Sequence, residues 1–80
     1  MTRKEIERKV KAFLIDDFEI DADKIKGSAK LKDDLGIDSL DIVDIVVIVE
    51  RDFGFKIKPD EIKMLSTLDD FCDYIEKKTL

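Results

Sequence analysis

Ser39 lies in the segment Asp33-Asp34-Leu35-Gly36-Ile37-Asp38-Ser39-Leu40-Asp41. A glycine-containing loop precedes it, and an apolar run with acids at helical spacing follows it. The hydroxyl therefore falls at the start of a helix, where it is exposed. A serine attacks a substrate only when a base takes its proton. The chain has no histidine, and no lysine lies within this segment. Ser–His, Cys–His and His-metal sites are thereby excluded. A hydroxyl that is accessible yet unactivated suits modification by another enzyme better than catalysis. A phosphodiester placed on it would meet the N–H groups and the positive end of a helix dipole. The plain alternative is an unmodified residue of a first helical turn.

The other candidates read as structure. Cys72 is the one cysteine, so no internal disulfide can form, and its place on an apolar stripe marks it as an inert core residue. Met64, Phe13, Phe53 and Phe71 are expected in the core. Ser28, Ser66 and Thr67 read as loop or cap residues. The adjacent carboxylates Asp33 and Asp34 could suggest a metal, but a solvated surface is the simpler reading.

The elements that must position Ser39 follow from spacing. Thr2-x-x-Glu5 reads as a capping box, and Ile6, Val10, Phe13 and Leu14 recur on one helical face up to about Asp16. Residues 18–38 form a long connection with apolar anchors at Phe18, Ile20, Ile25, Leu31, Leu35 and Ile37. A connection of that length inside a compact domain is usually functional, and Leu31–Leu35 could make a helical turn. Asp38 is a good N-cap for a second helix over Ser39 to Asp52, with Asp41 adding charge at its positive end. The run from Leu40 to Val49 is dense in β-branched residues, which favours strand. The helical spacing of Asp38, Asp41, Asp44 and Glu50 argues for helix. Gly54 is a natural C-cap. Pro59 sits just inside a short third helix, Asp60 to about Leu65, with Ile62 and Leu65 facing inward. Ser66 or Thr67 caps a last helix with Leu68, Phe71, Cys72 and Ile75 on its apolar stripe and Lys77-Lys78 at its end.

Composition narrows the function. Eighty residues make one domain, 1–80, with a simple core and no room for a deep enzyme site. The net charge is −5, which disfavours nucleic acid and suits docking onto basic patches of partners. Residues 33–53 hold seven acids against one Arg, so the negative field is concentrated around Ser39. No apolar run approaches a membrane span, and the N-terminus enters an amphipathic pattern with no signal-peptide core. The expectation is a cytoplasmic monomer without membrane insertion.

Asp34-Leu35-Gly36-Ile37-Asp38-Ser39-Leu40 resembles the phosphopantetheine attachment motif of acyl carrier proteins, whose core is Asp-Ser-Leu. Chain length, the acidic second helix, the long first loop, the short third helix and the closing Ser-Thr-Leu…Phe…Tyr-Ile pattern of residues 66–75 are similar too. The resemblance implies an all-α four-helix bundle with a short third helix and a long loop between helices one and two. It implies a non-catalytic carrier, with 4′-phosphopantetheine attached to Ser39 by a Mg²⁺-dependent carrier-protein synthase. Asp38, Leu40, Asp41, Val43, Asp44, Val47 and Glu50 would face that synthase, ketosynthases, reductases and acyltransferases. Ile42, Ile45, Val46 and Val49 would face the interior, where such carriers sequester the acyl chain.

Acyl carriage in fatty-acid biosynthesis is the expected function. A specialised carrier, for polyketide, lipid A or other acyl transfer, is the first alternative. It is favoured by the bulk of Ile42 and Ile48, by Arg51 where the helix is often acidic, and by the basic first helix. Pro59 also lies one residue later than in the commonest members. An unmodified helical adaptor, using the acidic helix only to bind proteins, is the alternative of another class.

Overall fold

The computed structural model describes residues 1–80, and its order of elements follows the caps. α1 spans Arg3–Asp16, α2 Ser39–Phe53, α3 Pro59–Lys63 and α4 Leu68–Lys78, with one 3₁₀ turn at Ala22–Lys24. The fold is all-α, with a short third helix and a long connection between α1 and α2.

Thr2 caps α1 by accepting from the Glu5 N–H at 3.2 Å. The return half of the expected capping box is not made: the Thr2 hydroxyl instead donates to the Glu5 carboxylate at 3.4 Å. α2 has both halves. Asp38 Oδ1 accepts from the N–H groups of Leu40 and Asp41 at 2.9 and 3.0 Å, and Asp41 Oδ2 accepts from the Asp38 N–H at 3.1 Å. Gly54 ends the helix at φ 77°, the left-handed region that a side chain disfavours. Pro59 opens α3 at N1, where its missing N–H costs nothing. α3 stops at Lys63, before the expected Leu65, which is half-buried beyond it. Thr67, not Ser66, caps α4.

The β-branched density of α2 is overridden by its burial pattern. Ile42, Ile45, Ile48, Val49 and Phe53 are buried, at spacings of three, three, one and four. A strand would have set Val43, Ile45, Val47 and Val49 on one face. Val43 and Val47 are instead 59% and 62% exposed. One interior assignment needs correcting. Val46, expected inside, is only half-buried at the edge of the core, and Ile48 is buried there with Val49. Rotation by 100° per residue sets Ile48 and Val46 at equal angles on either side of the Ile45–Val49 line, so packing and not spacing decides which of them is covered.

The core holds 19 residues, all apolar, with no buried polar or charged residue. Ile6, Val10, Phe13 and Leu14 from α1 meet Leu68, Phe71, Cys72 and Ile75 from α4, with Phe13 edge-on to Phe71. Phe13, Phe53 and Phe71 are buried as expected, but Met64, also expected inside, is 85% exposed. It lies two residues after the buried Ile62, which is the opposite side of a helical turn.

The long connection is pinned by backbone bonds. Leu31 N–H donates to Ser66 C=O, Leu68 N–H to Ala29 C=O and Asp69 N–H to Gly27 C=O, each at 2.9 Å. They form a short antiparallel ladder around a Lys30–Thr67 bridge. Gly27 permits the approach, since a Cβ there would run into the Asp69 carboxylate. Leu31–Leu35 makes a run of turns rather than a helix, closed by Leu35 N–H to Lys30 C=O and Ile37 N–H to Leu31 C=O. Asp34 Oδ2 takes the Lys30 N–H at 2.8 Å, so its carboxylate is spent holding this turn.

Candidate functional site

Ser39 is the first residue of α2 and is exposed. The turns at 31–37 bring the chain to this point, and buried Leu31, Leu35 and Ile37 fix the loop from beneath. The Ser39 hydroxyl takes part in no hydrogen bond within the chain. No side chain hydrogen-bonds to it, so it is free and unactivated.

The helix N-terminus is less open to an anion than the sequence suggests. Asp38 already occupies the N–H groups of Leu40 and Asp41, and the Ile42 N–H bonds to the Asp38 C=O at 3.1 Å. Only the Ser39 N–H is left in that first turn. A phosphate on Ser39 would therefore find one backbone donor, together with the dipole.

The exposed side of α2 carries a defined pattern. Leu40, Val43 and Val47 form an apolar stripe at spacings of three and four, with Leu40 79% exposed. Asp38, Asp44 and Glu50 are exposed around it, while Asp41 is half-buried because its carboxylate serves the cap. Arg51 is turned aside by Asp52 Oδ1 at 3.0 Å and Asp17 Oδ2 at 3.7 Å. These carboxylates raise its pKa further, chiefly through the Asp52 hydrogen bond. Met64 adds an exposed apolar side chain just past α3. Its spacing from Ile62 was the signal that could have shown it.

Two spaces lie on the other side of Ser39. An open groove of about 500 Å³ runs between the 30–38 segment, the head of α2 and α3. Leu31, Ile37, Ile42, Ile62 and Leu65 form its apolar part, and Lys30, Lys32, Lys63, Asp33, Asp38, Ser39 and Ser66 its polar part. Inside the bundle is a wholly apolar void of about 10 Å³ among nine side chains, including Phe13, Ile45 and Phe71. Leu31, Ile37 and Ile62 line both spaces and so form the wall between them. Of the four residues expected to line a cavity, Ile42 borders the groove and Ile45 the void, while Val46 and Val49 border neither.

The remaining polar groups do structural work. Arg3 joins α1 to α4 through Asp69 at 3.4 Å, Glu76 at 3.3 Å and Asp73, with Glu7 at 3.0 Å on its own helix. Its pKa is raised, most of all by the Asp73 hydrogen bond. Tyr74 donates its hydroxyl to Glu61 and so ties α4 to α3. Desolvation and that bond push the Tyr74 pKa up to about 12, and the same bond lowers that of Glu61. Burial pushes the Cys72 thiol up to about 11, so it is not a nucleophile near neutrality. No helix is long and apolar enough to cross a membrane.

Comparison with known proteins agrees with this geometry. The family described as "Phosphopantetheine attachment site" matches residues 8–75. An acyl carrier protein of Thermotoga maritima is 43% identical over 77 residues, 96% of this chain and 95% of that protein. One from Bdellovibrio bacteriovorus is 41% identical over 73 residues, 91% of this chain and 94% of that protein. The solved structure of an acyl carrier protein from Enterococcus faecalis superposes with a TM-score of 0.75 at 33% identity, covering 94% of this chain and 95% of that one. With the family matched across most of its length, and its members nearly end to end, the chain belongs to the acyl carrier proteins, non-catalytic carriers that bear a phosphopantetheine attachment site.

Proposed function

We propose that Ser39 is the attachment residue and that residues 1–80 act as one carrier domain for acyl thioesters in fatty-acid biosynthesis. The observation that carries this reading is the Ser39 hydroxyl: exposed, unbonded, and held at the head of an acidic helix by a fully formed capping box. The residues fit the group, since the hydroxyl is reachable, its own N–H is unpartnered, and open space lies beside it. The phosphopantetheine arm supplies a terminal thiol on which acyl groups are carried.

Loading forms a bond from Ser39 Oγ to the phosphorus that bears the pantetheine of coenzyme A. The pyrophosphate bond breaks and 3′,5′-adenosine bisphosphate leaves. The serine proton goes to a base on the synthase, because no side chain of this chain hydrogen-bonds to Ser39 and Asp38 is engaged in the helix cap. Asp38 keeps the first turn of α2 rigid during that attack. Asp44 and Glu50 steer the synthase, and later the ketosynthases, reductases and acyltransferases, while Leu40, Val43 and Val47 give the apolar contact. The same surface serves a cytoplasmic monomer that meets one enzyme after another.

The test is intact mass after co-expression with a carrier-protein synthase. The wild-type chain should gain one arm and Ser39→Ala none. No gain in the wild type, or an equal gain in Ser39→Ala, overturns the reading. The acyl group recovered on the loaded chain from its native host then reports the pathway. A saturated or β-oxidised straight chain supports fatty-acid synthesis, and a branched or aminoacyl cargo supports a specialised carrier.

A further inference from the structure

The outward face of α1 carries cations that the fold does not use. At 100° per residue Lys4, Arg8 and Lys11 fall within about 60° of one another, with Ile15 among them. All four lie off the buried face of Ile6, Val10, Phe13 and Leu14. The three cations are exposed and Ile15 is half-buried. None of the three has a carboxylate within ion-pair distance. Glu7 beside them is taken by Arg3, and Glu5 is half-buried next to the Thr2 hydroxyl, so the stripe stays positive.

The chain itself carries the complement. Asp44 and Glu50 on α2 are exposed and equally unpaired, one on each flank of the exposed Leu40 and Val47. Set antiparallel, the two faces keep step. Lys4 stands opposite Glu50, Lys11 opposite Asp44 and Ile15 opposite Leu40. The intervals are seven and four residues on α1 against six and four on α2, a mismatch of about 1.5 Å along the axis. Arg8 then lays its apolar stem over Val47. The antiparallel setting also puts the head of α1 against the tail of α2, where the helix dipoles attract. The two faces cannot meet within one molecule, because both helices turn their buried sides to the common core.

We propose that the Lys4–Arg8–Lys11 stripe of α1 docks on the α2 face of a second copy of this chain, with Glu50 and Asp44 as its charge partners. The contact is heterologous: a copy offers α1 to one neighbour and α2 to another. One helix face on another covers far less than the roughly 1,600 Å² of a standard interface. Association is therefore weak, and the monomer stays the species that enzymes meet. A net charge of −5 repels copies from one another. The molecule measures 28 × 25 × 21 Å, so the centres of two touching copies stand well beyond the ~8 Å over which charge is felt at physiological ionic strength. The contact pairs lie inside that range and survive. An anionic membrane fits the stripe less well, since its plane would meet the net charge of the whole molecule. A copy whose α2 is covered is withheld from enzymes. That consequence rests on α2 being the recognition surface proposed above, and the pairing itself does not.

The experiment is an NMR dilution series of the apo chain at about 0.15 M salt. It compares the wild type with an α1 variant (Lys4→Glu, Arg8→Glu, Lys11→Glu) and an α2 variant (Asp44→Lys, Glu50→Lys), each shown to be helical by circular dichroism. In the wild type, amide signals of residues 4–15 and 40–50 should move together with concentration, with an apparent Kd on the order of 1 mM. Each variant alone should show no such movement, and the two mixed should recover it. The α2 variant separates local pairing from overall repulsion. Its net charge is nearer zero than −5, so repulsion alone predicts more association there and the local contact predicts less. No concentration-dependent shift in the wild type, shifts that persist in either variant, or a mixture that stays silent overturns the pairing. Adsorption of the wild type to vesicles of phosphatidylglycerol in phosphatidylcholine, lost in the α1 variant and without concentration-dependent shifts, assigns the stripe to a lipid surface and overturns it too. The series needs neither arm nor synthase, so its failure leaves the Ser39 reading standing.

Discussion

Asp38 and Asp70 show how one carboxylate can decide a local structure. Each closes a capping box, and each stands within a turn of a residue the site depends on. Asp70 Oδ2 accepts from the N–H groups of Ser66 and Thr67 at 3.2 and 3.1 Å, and these bonds, Thr67 first, hold its pKa below the usual carboxylate range. Glu61 is lowered in the same direction by Tyr74. A group with a depressed folded pKa stabilises the fold fully above its unfolded value of about 4, and that contribution is lost as the pH falls through the folded value. Stability to urea should therefore decline as the pH drops below about 4. In Asp70→Asn the decline should be shallower and the stability near pH 7 lower. An unchanged acid limb in urea titrations at several pH values would remove this account. Ser39, Asp38, Thr67 and Cys72 were legible one residue at a time, because caps and lone thiols leave local signatures. Met64 was not, because hydrophobicity alone does not say which way a side chain points.

The helices were legible from spacing, and their faces less so. α2 is apolar nearly all round, so pattern alone could not separate its inner stripe from its outer one. Burial in the common core selects Ile42, Ile45, Ile48 and Val49, and that choice leaves Leu40, Val43 and Val47 facing outward. Three large apolar side chains on one exposed stripe cost solubility unless something covers them in turn. Flanking acids keep the face hydrated, and on the proposed reading they also direct encounters. Reversing Asp44 to Lys should slow loading by a carrier-protein synthase about tenfold at low salt, and the deficit should narrow as salt is added. Val47→Asp, with its added charge of the attractive sign, should weaken the docked complex and leave the initial encounter fast. Stopped-flow loading kinetics separate the two. Identical salt dependence in wild type and Asp44→Lys would show that the acid plays no part in steering. The boundary errors at α3 belong to this scale as well. A five-residue helix has too few hydrogen bonds to fix its own end, and α3 is held instead by Tyr74 on α4 and by buried Ile62.

At the scale of the molecule, 19 apolar residues close a core with a void of only about 10 Å³. That is about the room one water needs, so an acyl chain can go inside only if helices or side chains move. The wall of Leu31, Ile37 and Ile62 is where such movement would connect outside to inside. None of this could be read from the sequence, because it depends on how residues distant along the chain meet. The clearest case is the ladder between residues 27–31 and 66–69. It sets an order on biosynthesis. A chain growing from its N-terminus exposes Ser39 first, and the strand-like partner that fixes the loop beside it is made later. Until Ser66 to Asp69 have emerged, the serine has its helix cap but neither its groove nor its pinned loop. Loading is then tied to completion: a chain truncated after Leu65 should accept the arm poorly, by intact mass, at synthase levels that load the full chain. Equal loading of the two would show that the cap alone suffices. Residues 66–69 would thus certify a site laid down before them, and chains that lack them would be kept from drawing on the coenzyme A pool.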